Sequence, residues 1–249
     1  MDLPDPNEPS LPPDERIVVF DDRELFHGDA AILIQPSMPS WAGGGGRADR
    51  VLAGYAYAPI GDAVRRHRPA INGGVPADPY IVVCFGGSDP FDVTGRLAPA
   101  LGAFPGARTV IVVGADYRGS IVDGGLDVRR DPDDFIDLIA GATVVVGSAG
   151  TIKFEAAYLG RPMILVAVVD DQLPVAPPFA ATGASRYLGD GRRVSPDVVR
   201  RATIELLGDE VRRSAYGARG RSIVDGRGAD RIVEAVAELV RVAPTGSGI

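Results

Sequence analysis

The sequence predicts an α/β protein in which helices cover both faces of a parallel sheet. Runs of β-branched and other apolar residues at 80–85, 109–113 and 143–146 contain almost no polar side chain. Strands buried on both faces have this composition, whereas strands with one solvated face alternate apolar and polar residues. Amphipathic, helix-like segments alternate with these runs, which is typical of βα units. With 249 residues, 45% of them hydrophobic, the chain is long enough to form a large core.

The elements can be placed in order from residue 80 onward. Strands are predicted at 80–85, 109–113, 126–130, 143–146, 163–168 and 185–188. Helices are predicted at 92–103, 133–140, 151–159, 171–182, 196–207, 210–222 and 229–241. Because strands and helices alternate through most of this region, it is predicted to form a complete doubly wound domain.

The region before residue 80 is less regular. Short strands are predicted at 17–20, 30–34 and 50–54, and four consecutive glycines at 43–46 disfavour an element between the last two. Residues 1–15 are rich in proline and acidic residues, which is typical of a disordered leader. Proline and glycine recur at 69–79 and indicate an interdomain linker. We therefore expect one domain at 16–75 and a second at 76–243.

Charge and composition exclude several classes of function. The formal net charge of -7 and the pI of about 4.9 argue against a nucleic-acid partner, because tracking phosphates requires a clustered basic surface. No segment approaches the ~20 apolar residues of a membrane span, and the N-terminus lacks the basic and apolar regions of a signal peptide. The single cysteine, Cys84, lies in an apolar run, so we expect a buried thiol and a reducing compartment. The protein is predicted to be cytoplasmic.

The candidate ligand site lies at the turns that follow strands. In doubly wound sheets the ligand crevice lies beyond the carboxyl ends of the strands, where the strand order reverses. Two turns without bulky side chains occur there, and each leads into a predicted helix whose first amides and dipole favour an anion such as a phosphate. Glycine caps and an Asp89 N-cap are the structural alternatives. The turns are Gly86-Gly87-Ser88-Asp89-Pro90 and Gly147-Ser148-Ala149-Gly150-Thr151.

Three further positions carry polar side chains near these turns. Glu155 lies about one helical turn after Thr151 and is placed to accept hydrogen bonds from sugar hydroxyls, or to complement the helix dipole. Lys153, the one lysine of the chain, is interpreted as a phosphate ligand or a solvated surface residue. Residues 170–172, Asp-Asp-Gln, begin the next predicted helix at the same edge or cap it.

Motifs of other nucleotide-binding proteins are absent. Neither turn contains the Gly-x-Gly-x-x-Gly fingerprint or a Gly-x-x-x-x-Gly-Lys-Ser/Thr phosphate loop, which disfavours a nicotinamide enzyme and a nucleoside triphosphatase. Two distant histidines and one cysteine do not have the spacing of metal ligands. The sequence therefore predicts neither a metal nor another cofactor.

Together these motifs resemble a known family. The motifs in this sequence resemble those of the UDP-sugar hydrolase of pseudaminic acid biosynthesis and of its spore-coat polysaccharide relatives. They are also similar, more distantly, to those of the GT-B glycosyltransferases that add N-acetylglucosamine to a peptidoglycan lipid. The resemblance covers about residues 16–240. It is carried by Phe85-Gly86-Gly87-Ser88-Asp89-Pro90, Gly147-x-x-Gly150-Thr151 with Glu155, Tyr158-Leu159-Gly160-Arg161-Pro162, Asp171-Gln172 and Asp225-Gly226-x-Gly228.

The resemblance implies a GT-B-like architecture and a nucleotide-sugar ligand, most simply a UDP-sugar. It implies a complete C-terminal Rossmann-like doubly wound domain and a truncated N-terminal Rossmann-like domain. Glu155 would bind the ribose hydroxyls, and Gly150 with Thr151 would bind the diphosphate. Asp171 and Gln172, where the family has Asn-Gln, would face the sugar. The implied nucleotide-sugar-binding residues are Gly86, Gly87, Ser88, Asp89, Gly147, Gly150, Thr151, Glu155, Asp171 and Gln172.

The chain departs from the family pattern at its start. The family's opening strand, Gly-rich loop and catalytic histidine have no counterpart, and His27 and His67 do not occupy the equivalent place, so the catalytic residue is left open. Three interpretations follow: a glycosyltransferase or UDP-sugar hydrolase, a non-catalytic nucleotide-sugar-binding auxiliary protein, or a half-enzyme whose partner supplies the missing unit. We also expect an unpaired sheet edge near 16–20 or 30–34, covered by the leader, a protein partner or a dimer mate.

Overall fold

The chain folds into two parallel sheets. The computed structural model describes residues 16–21, 26–39, 47–67, 78–102, 104–121 and 126–241. The smaller sheet has the order β1-β2-β3, and the larger has the order β6-β5-β4-β7-β8-β9. The smaller sheet contains β1 (Val18–Phe20), β2 (Asp29–Gln35) and β3 (Arg47–Ala53). The larger contains β4 (Tyr80–Cys84), β5 (Arg108–Val113), β6 (Asp127–Arg130), β7 (Val144–Ser148), β8 (Met163–Ala167) and β9 (Ser185–Asp190).

Helices connect these strands, as the sequence predicts. In the described ranges they are α1 (Asp62–Arg65), α2 (Val93–Leu101), α3 (Phe135–Gly141), α4 (Ile152–Tyr158), α5 (Ala176–Ala181), α6 (Pro196–Gly208), α7 (Glu210–Ile223) and α8 (Gly228–Arg241). The predicted α/β class with parallel sheets is confirmed. The short helix α1 and the 3-10 turn Tyr55–Tyr57 were not predicted.

Both faces of the larger sheet are buried. Val82, Val110 and Val145 face one hydrophobic cluster, which includes residues of α3 and α4. Their sequence neighbours face a second cluster, which includes residues of α2 and α6. Side chains alternate between the two faces of a strand, so coverage on both sides requires the continuous apolar runs seen in the sequence. Cys84 is 6% exposed, and burial raises the pKa of its thiol to about 11.

The last helix packs on the smaller sheet. Ile232 and Ala235 of α8 form a hydrophobic cluster with Ile32, Ile34 and Leu52 of β2 and β3. The domain boundaries expected from sequence place this helix with the larger sheet, because an amphipathic pattern does not identify the sheet it will cover. The C-terminal helix α8 thus packs on the smaller, N-terminal sheet after the chain has formed the larger one.

Several sequence predictions differ from the structure. The helix predicted at 171–182 is a 3-10 turn, Asp170–Gln172, followed by the short α5, because Pro174, Pro177 and Pro178 lack the amide donors that a continuous helix needs. Within the described residues β2 pairs on both sides, so the predicted sheet edge lies at β1 and not at 30–34. The leader at 1–15, the glycines at 43–46 and most of the linker, residues 69–77, lie outside the described residues.

Across the ranges that the structure describes, no helix combines the length and the apolar character needed to cross a membrane.

Candidate functional site

The larger sheet reverses its strand order between β4 and β7. From β4 the chain adds β5 and β6 on one side, then returns to add β7, β8 and β9 on the other. The turns after β4 and β7 therefore leave the sheet at neighbouring positions and diverge, which opens a crevice at its carboxyl edge. Both turns chosen from the sequence lie at this switch point.

A cavity of about 390 Å³ occupies the crevice, and we call it the large cavity. Its volume falls in the range of small-ligand sites. Of the residues predicted to bind a nucleotide sugar, eight line it: Gly86, Gly87, Ser88, Asp89, Gly150, Thr151, Glu155 and Gln172. The sequence-based choice of strand ends thus brings most of the candidate residues together.

Glu155 is a partly buried carboxylate that lines the large cavity. It lies on α4, one turn from the helix start, and its pKa is raised because burial disfavours the charged form. No hydrogen bond or charge from the described residues is among the causes of this shift. A carboxylate in this state gains most from a ligand that brings hydroxyl donors to it.

The turn after β7 is two residues shorter than the sequence predicts, because the strand continues past residue 146. β7 extends to Ser148, so Gly147 lies inside the strand and does not line the large cavity. A Cβ on Gly147 would lie 3.0 Å from the Cys84 carbonyl and 3.0 Å from the Met163 side chain. Its prediction as a ligand contact is corrected, because this glycine allows neighbouring residues to pack closely against β7. Gly150 and Thr151 form the part of the turn that faces the cavity.

The start of α2 does not offer free amides to an anion. Oδ1 of Asp89 accepts a hydrogen bond from the Val93 amide at 3.0 Å, and Oδ2 accepts one from the Thr94 amide at 2.7 Å. Asp92 accepts the next one, from Gly95 at 3.0 Å. Because two carboxylates hold these amides, the expectation that the start of α2 presents unpaired amides to an anion is wrong, and Asp89 has the capping role given as its structural alternative. The preceding glycines line the cavity by their backbone.

Asp171 and Gln172 lie at a second cavity of about 170 Å³, which we call the small cavity. Gln172 and the turn residues Gly150 and Thr151 line both cavities. Oε1 of Gln172 accepts a hydrogen bond from the Val168 amide at 2.9 Å, and a Cβ on Gly150 would lie 3.4 Å from its Nε2. The amide nitrogen of Gln172 is therefore directed toward the turn, where it can donate to a ligand. Asp171 is exposed and lines only the small cavity.

Lys153 is not a solvated surface residue. It is 2% exposed, and its Nζ donates to Oγ of Ser37 at 3.1 Å and to the carbonyl of Ala149 at 2.9 Å. Ser37 follows β2 of the smaller sheet, so this contact joins the two sheets beside the small cavity. The alternative interpretation as a direct phosphate ligand is not supported, since Lys153 does not line the large cavity.

Neither described histidine lines these two cavities. His67 has both ring nitrogens near acceptors, with Nδ1 2.7 Å from the Ala63 carbonyl and Nε2 2.6 Å from the Asp137 carboxylate. These acceptors, the Ala63 carbonyl first, raise its pKa. His27 is exposed. His67 thus joins α1 to α3.

Sequence reasoning missed part of the large cavity. Gly114 follows β5, Pro132 lies two residues after β6, and Phe135 begins α3; all three line the cavity. Asp131 lines it too, at the end of the loop around Val128 to Asp131 that the resemblance implies for base recognition. Ser148, which belongs to the second turn chosen from the sequence, also lines the cavity and is 3% exposed. Gly114 directly follows a predicted strand and Pro132 lies two residues after another, so the rule used for the other turns would have found them.

One curated protein is similar in sequence. The chain is 24% identical over 169 residues to the spore coat polysaccharide biosynthesis protein SpsG of Bacillus subtilis (strain 168), which covers 64% of this chain and 50% of SpsG. The chain thus spans about half the length of the curated relative it matches. No protein-family model matches the sequence.

Solved glycosyltransferase structures share the fold. The calicheamicin glycosyltransferase CalG4 is 25% identical with a TM-score of 0.53, over 68% of this chain and 44% of CalG4. The spinosyn rhamnosyltransferase SpnG complexed with thymidine diphosphate is 19% identical with a TM-score of 0.56, over 84% of this chain and 57% of SpnG. The predicted resemblance to spore-coat polysaccharide proteins and GT-B glycosyltransferases is confirmed, and so is the GT-B-like, Rossmann-like fold class.

Proposed function

We propose that the chain binds a nucleotide sugar, most simply a UDP-sugar, in the large cavity. Its activity would be that of a nucleotide-sugar-dependent glycosyltransferase or a UDP-sugar hydrolase, which breaks the anomeric C–O bond of a glycosyl diphosphate. The observation that carries the proposal is Glu155, a partly buried carboxylate at the switch point whose pKa is raised by burial alone. Ribose hydroxyls are donors that would satisfy it.

The two cavities suggest how the ligand would lie. With the ribose on Glu155, the diphosphate would reach the amides of Gly150 and Thr151. Among the turn, loop and cap hydrogen bonds of the described residues, neither amide donates to a backbone carbonyl. The base would extend toward Pro132 and Phe135 at the other end of the large cavity. The sugar would enter the small cavity.

In this arrangement the chain would stabilise the leaving group. As the anomeric C–O bond breaks, negative charge develops on the departing diphosphate oxygen. Fixed donors aimed at that oxygen lower the barrier, because they are oriented before the charge appears. The amides of Gly150 and Thr151 and Nε2 of Gln172 are such donors.

One observation favours the non-catalytic alternative. His27 and His67, the histidines of the described chain, do not line the cavities, so a general base from histidine would have to come from elsewhere. A nucleotide-sugar-binding auxiliary protein, or a half-enzyme that acts with a protein partner, would have this arrangement. Turnover separates these alternatives from the enzyme.

The first test is isothermal titration calorimetry with UDP and TDP. Wild type is expected to bind at least one of them with a stoichiometry near one. Glu155→Gln is expected to weaken binding at least about tenfold, because a hydrogen bond to a charged group contributes about 1.5–3 kcal/mol. Glu210→Gln, an exposed residue at the start of α7, is the matched control and should bind like wild type.

Two results would contradict the proposal. Absence of saturable binding by folded wild-type protein would exclude the nucleotide ligand, and equal affinity of Glu155→Gln would exclude the proposed ribose contact. If binding is established, release of UDP from UDP-sugars is then measured in a coupled assay. Steady release with or without an acceptor distinguishes hydrolysis from transfer, and binding without release identifies the auxiliary protein or a half-enzyme without its partner.

A further inference from the structure

Lys153 stands out in a chain whose other basic side chains are arginines. It is among the largest fully buried side chains, with 2% exposure. A buried ammonium group is costly unless hydrogen bonds replace its hydration. Its environment must therefore provide acceptors at fixed positions.

Within the part of the chain that the structure describes, Nζ of Lys153 lies near several acceptors. They are Oγ of Ser37 at 3.1 Å, the carbonyl oxygen of Ala149 at 2.9 Å and the carbonyl oxygen of Gly150 at 3.4 Å. The ring of Phe154 lies 4.1 Å away and adds a cation–π contact. An ammonium group has three N–H donors in a compact arrangement, whereas the planar guanidinium group of arginine would not match these positions.

The contacts of Lys153 with the two carbonyls are related to the direction of the neighbouring amides. Nζ holds the Ala149 carbonyl at 2.9 Å, and the Gly150 carbonyl accepts from the backbone amide of Lys153 at 3.2 Å as well as from Nζ at 3.4 Å. In a trans peptide unit the C=O and N–H groups point in opposite directions, and the described chain has no cis peptide bond. Since the Ala149 and Gly150 carbonyls point toward Lys153, the amides of Gly150 and Thr151 point away from it. Gly150 and Thr151 line the large cavity, which Lys153 does not. A carbonyl that accepts a strong hydrogen bond also polarises its peptide group and strengthens the N–H donor.

We propose that Lys153 is a positioning residue, which holds two peptide groups so that the amides of Gly150 and Thr151 face the diphosphate. This inference rests on the proposed nucleotide ligand. Lys153 acts through the backbone and does not touch the phosphates. Its bond to Ser37 extends the arrangement to the smaller sheet, so the position of that sheet influences the affinity for phosphate groups.

The proposal separates phosphate recognition from nucleoside recognition. Lys153→Met removes the ammonium group and keeps an unbranched apolar side chain of similar length. Ser37→Ala removes one acceptor and leaves the lysine in place. Arg201→Met removes one positive charge from the exposed face of α6 and is the matched control. Binding of UDP and of uridine is measured for each protein by NMR titration, with TDP and thymidine as a second pair.

The expected result is a selective loss. In Lys153→Met the affinity for UDP should fall about tenfold, the loss of roughly one charge-assisted hydrogen bond, while the affinity for uridine stays within about twofold. Ser37→Ala should show a smaller loss of the same kind, and Arg201→Met none. In wild type, UDP should shift the amide resonances of Gly150 and Thr151 more than uridine does.

The other outcomes overturn the inference. Equal loss of UDP and uridine affinity in Lys153→Met would show that Lys153 has a general structural role. Unchanged UDP affinity would show that Lys153 has no role in phosphate binding. If Lys153→Met does not fold, the wild-type amide shifts and Ser37→Ala decide, and amides that respond equally to UDP and uridine contradict the proposal. Wild type that binds no nucleotide contradicts the proposed function itself, whereas binding without the selective loss contradicts only the role of Lys153.

Discussion

Asp89→Ala is expected to destabilise the unliganded protein through the turn between β4 and α2. Asp89 is 4% exposed, and each oxygen of its carboxylate accepts a hydrogen bond from an amide at the start of α2. Its φ of 39° is a left-handed conformation, which Asp tolerates better than most residues. Alanine at this position would lose both bonds and keep the unfavourable backbone angle.

The size of the effect follows from these contacts. Loss of an N-cap side chain costs about 0.5–2 kcal/mol, and two buried amides are left without their acceptor here, which gives about 1–4 kcal/mol. For a protein of this length, 1 kcal/mol lowers Tm by about 2–4 °C, so a central value of about 2.5 kcal/mol corresponds to about 5–10 °C. Thermal unfolding followed by circular dichroism measures this directly.

Two further variants test the reasoning. Asp116→Ala changes the same residue type on the surface, where its side chain is 82% exposed, and should lower Tm by less than about 2 °C. Asp89→Asn keeps one acceptor and the tolerance for the left-handed angle, and should fall between wild type and Asp89→Ala. If Asp89→Ala unfolds within about 2 °C of Asp116→Ala, the capping role assigned to Asp89 is wrong.

Three other predictions concern the cavity and the return of α8. Gly114→Ala should distort the large cavity and weaken nucleotide binding in calorimetry, because its Cβ would lie 2.3 Å from the carbonyl oxygen of Gly87. Gly61→Ala is the control and should bind like wild type, because its Cβ meets nothing within 4 Å and Gly61 lines neither cavity. Burial raises the pKa of Glu155 in the folded protein, so its contribution to the free energy of unfolding, taken as the difference between wild type and Glu155→Gln, should fall as the pH rises through this raised pKa and then level off. Because hydroxyl donors favour the ionised carboxylate, the nucleotide affinity of wild type relative to that of Glu155→Gln should rise over the same pH interval. Gly228→Ala places a Cβ 2.1 Å from the carbonyl oxygen of Ala58 and should cost about 1–3 kcal/mol in urea denaturation, whereas Gly208→Ala, which faces open space, should be nearly neutral.

The sequence was sufficient for the strands of the larger sheet. The apolar runs of β4, β5, β7 and β8 require burial on both faces, and all six observed strands begin and end within a few residues of the predicted ones. It was less informative where helix-breaking residues compete with an amphipathic pattern. Pro177 and Pro178 are tolerated in the first turn of α5 but prevent the helix from beginning earlier, so the predicted helix at 171–182 was too long.

For the candidate site as well, some residues could be predicted from the sequence and others could not. Glu155 and the turn before it could be found because their position after a strand is a local property of the sequence. The burial of Lys153 could not, since its acceptor Ser37 lies 116 residues earlier and is brought to it only by the packing of the two sheets. Likewise, the choice between ligand contact and cap for Asp89 depends on the direction of its side chain, which residue spacing leaves open.

Helix geometry explains how two opposite charges on α4 can serve different cavities. Glu155 lines the large cavity, and Lys153 lines the small one. They are two residues apart, so an α-helix directs them about 160° apart around its axis, and they cannot form the ion pair that residues three or four apart would form. A lysine one turn away from Glu155 would neutralise it and remove its preference for hydroxyl donors. The i, i+2 spacing instead leaves the carboxylate available to the proposed ribose on one side of the helix, while on the other side the ammonium group holds the Ala149 carbonyl of the turn.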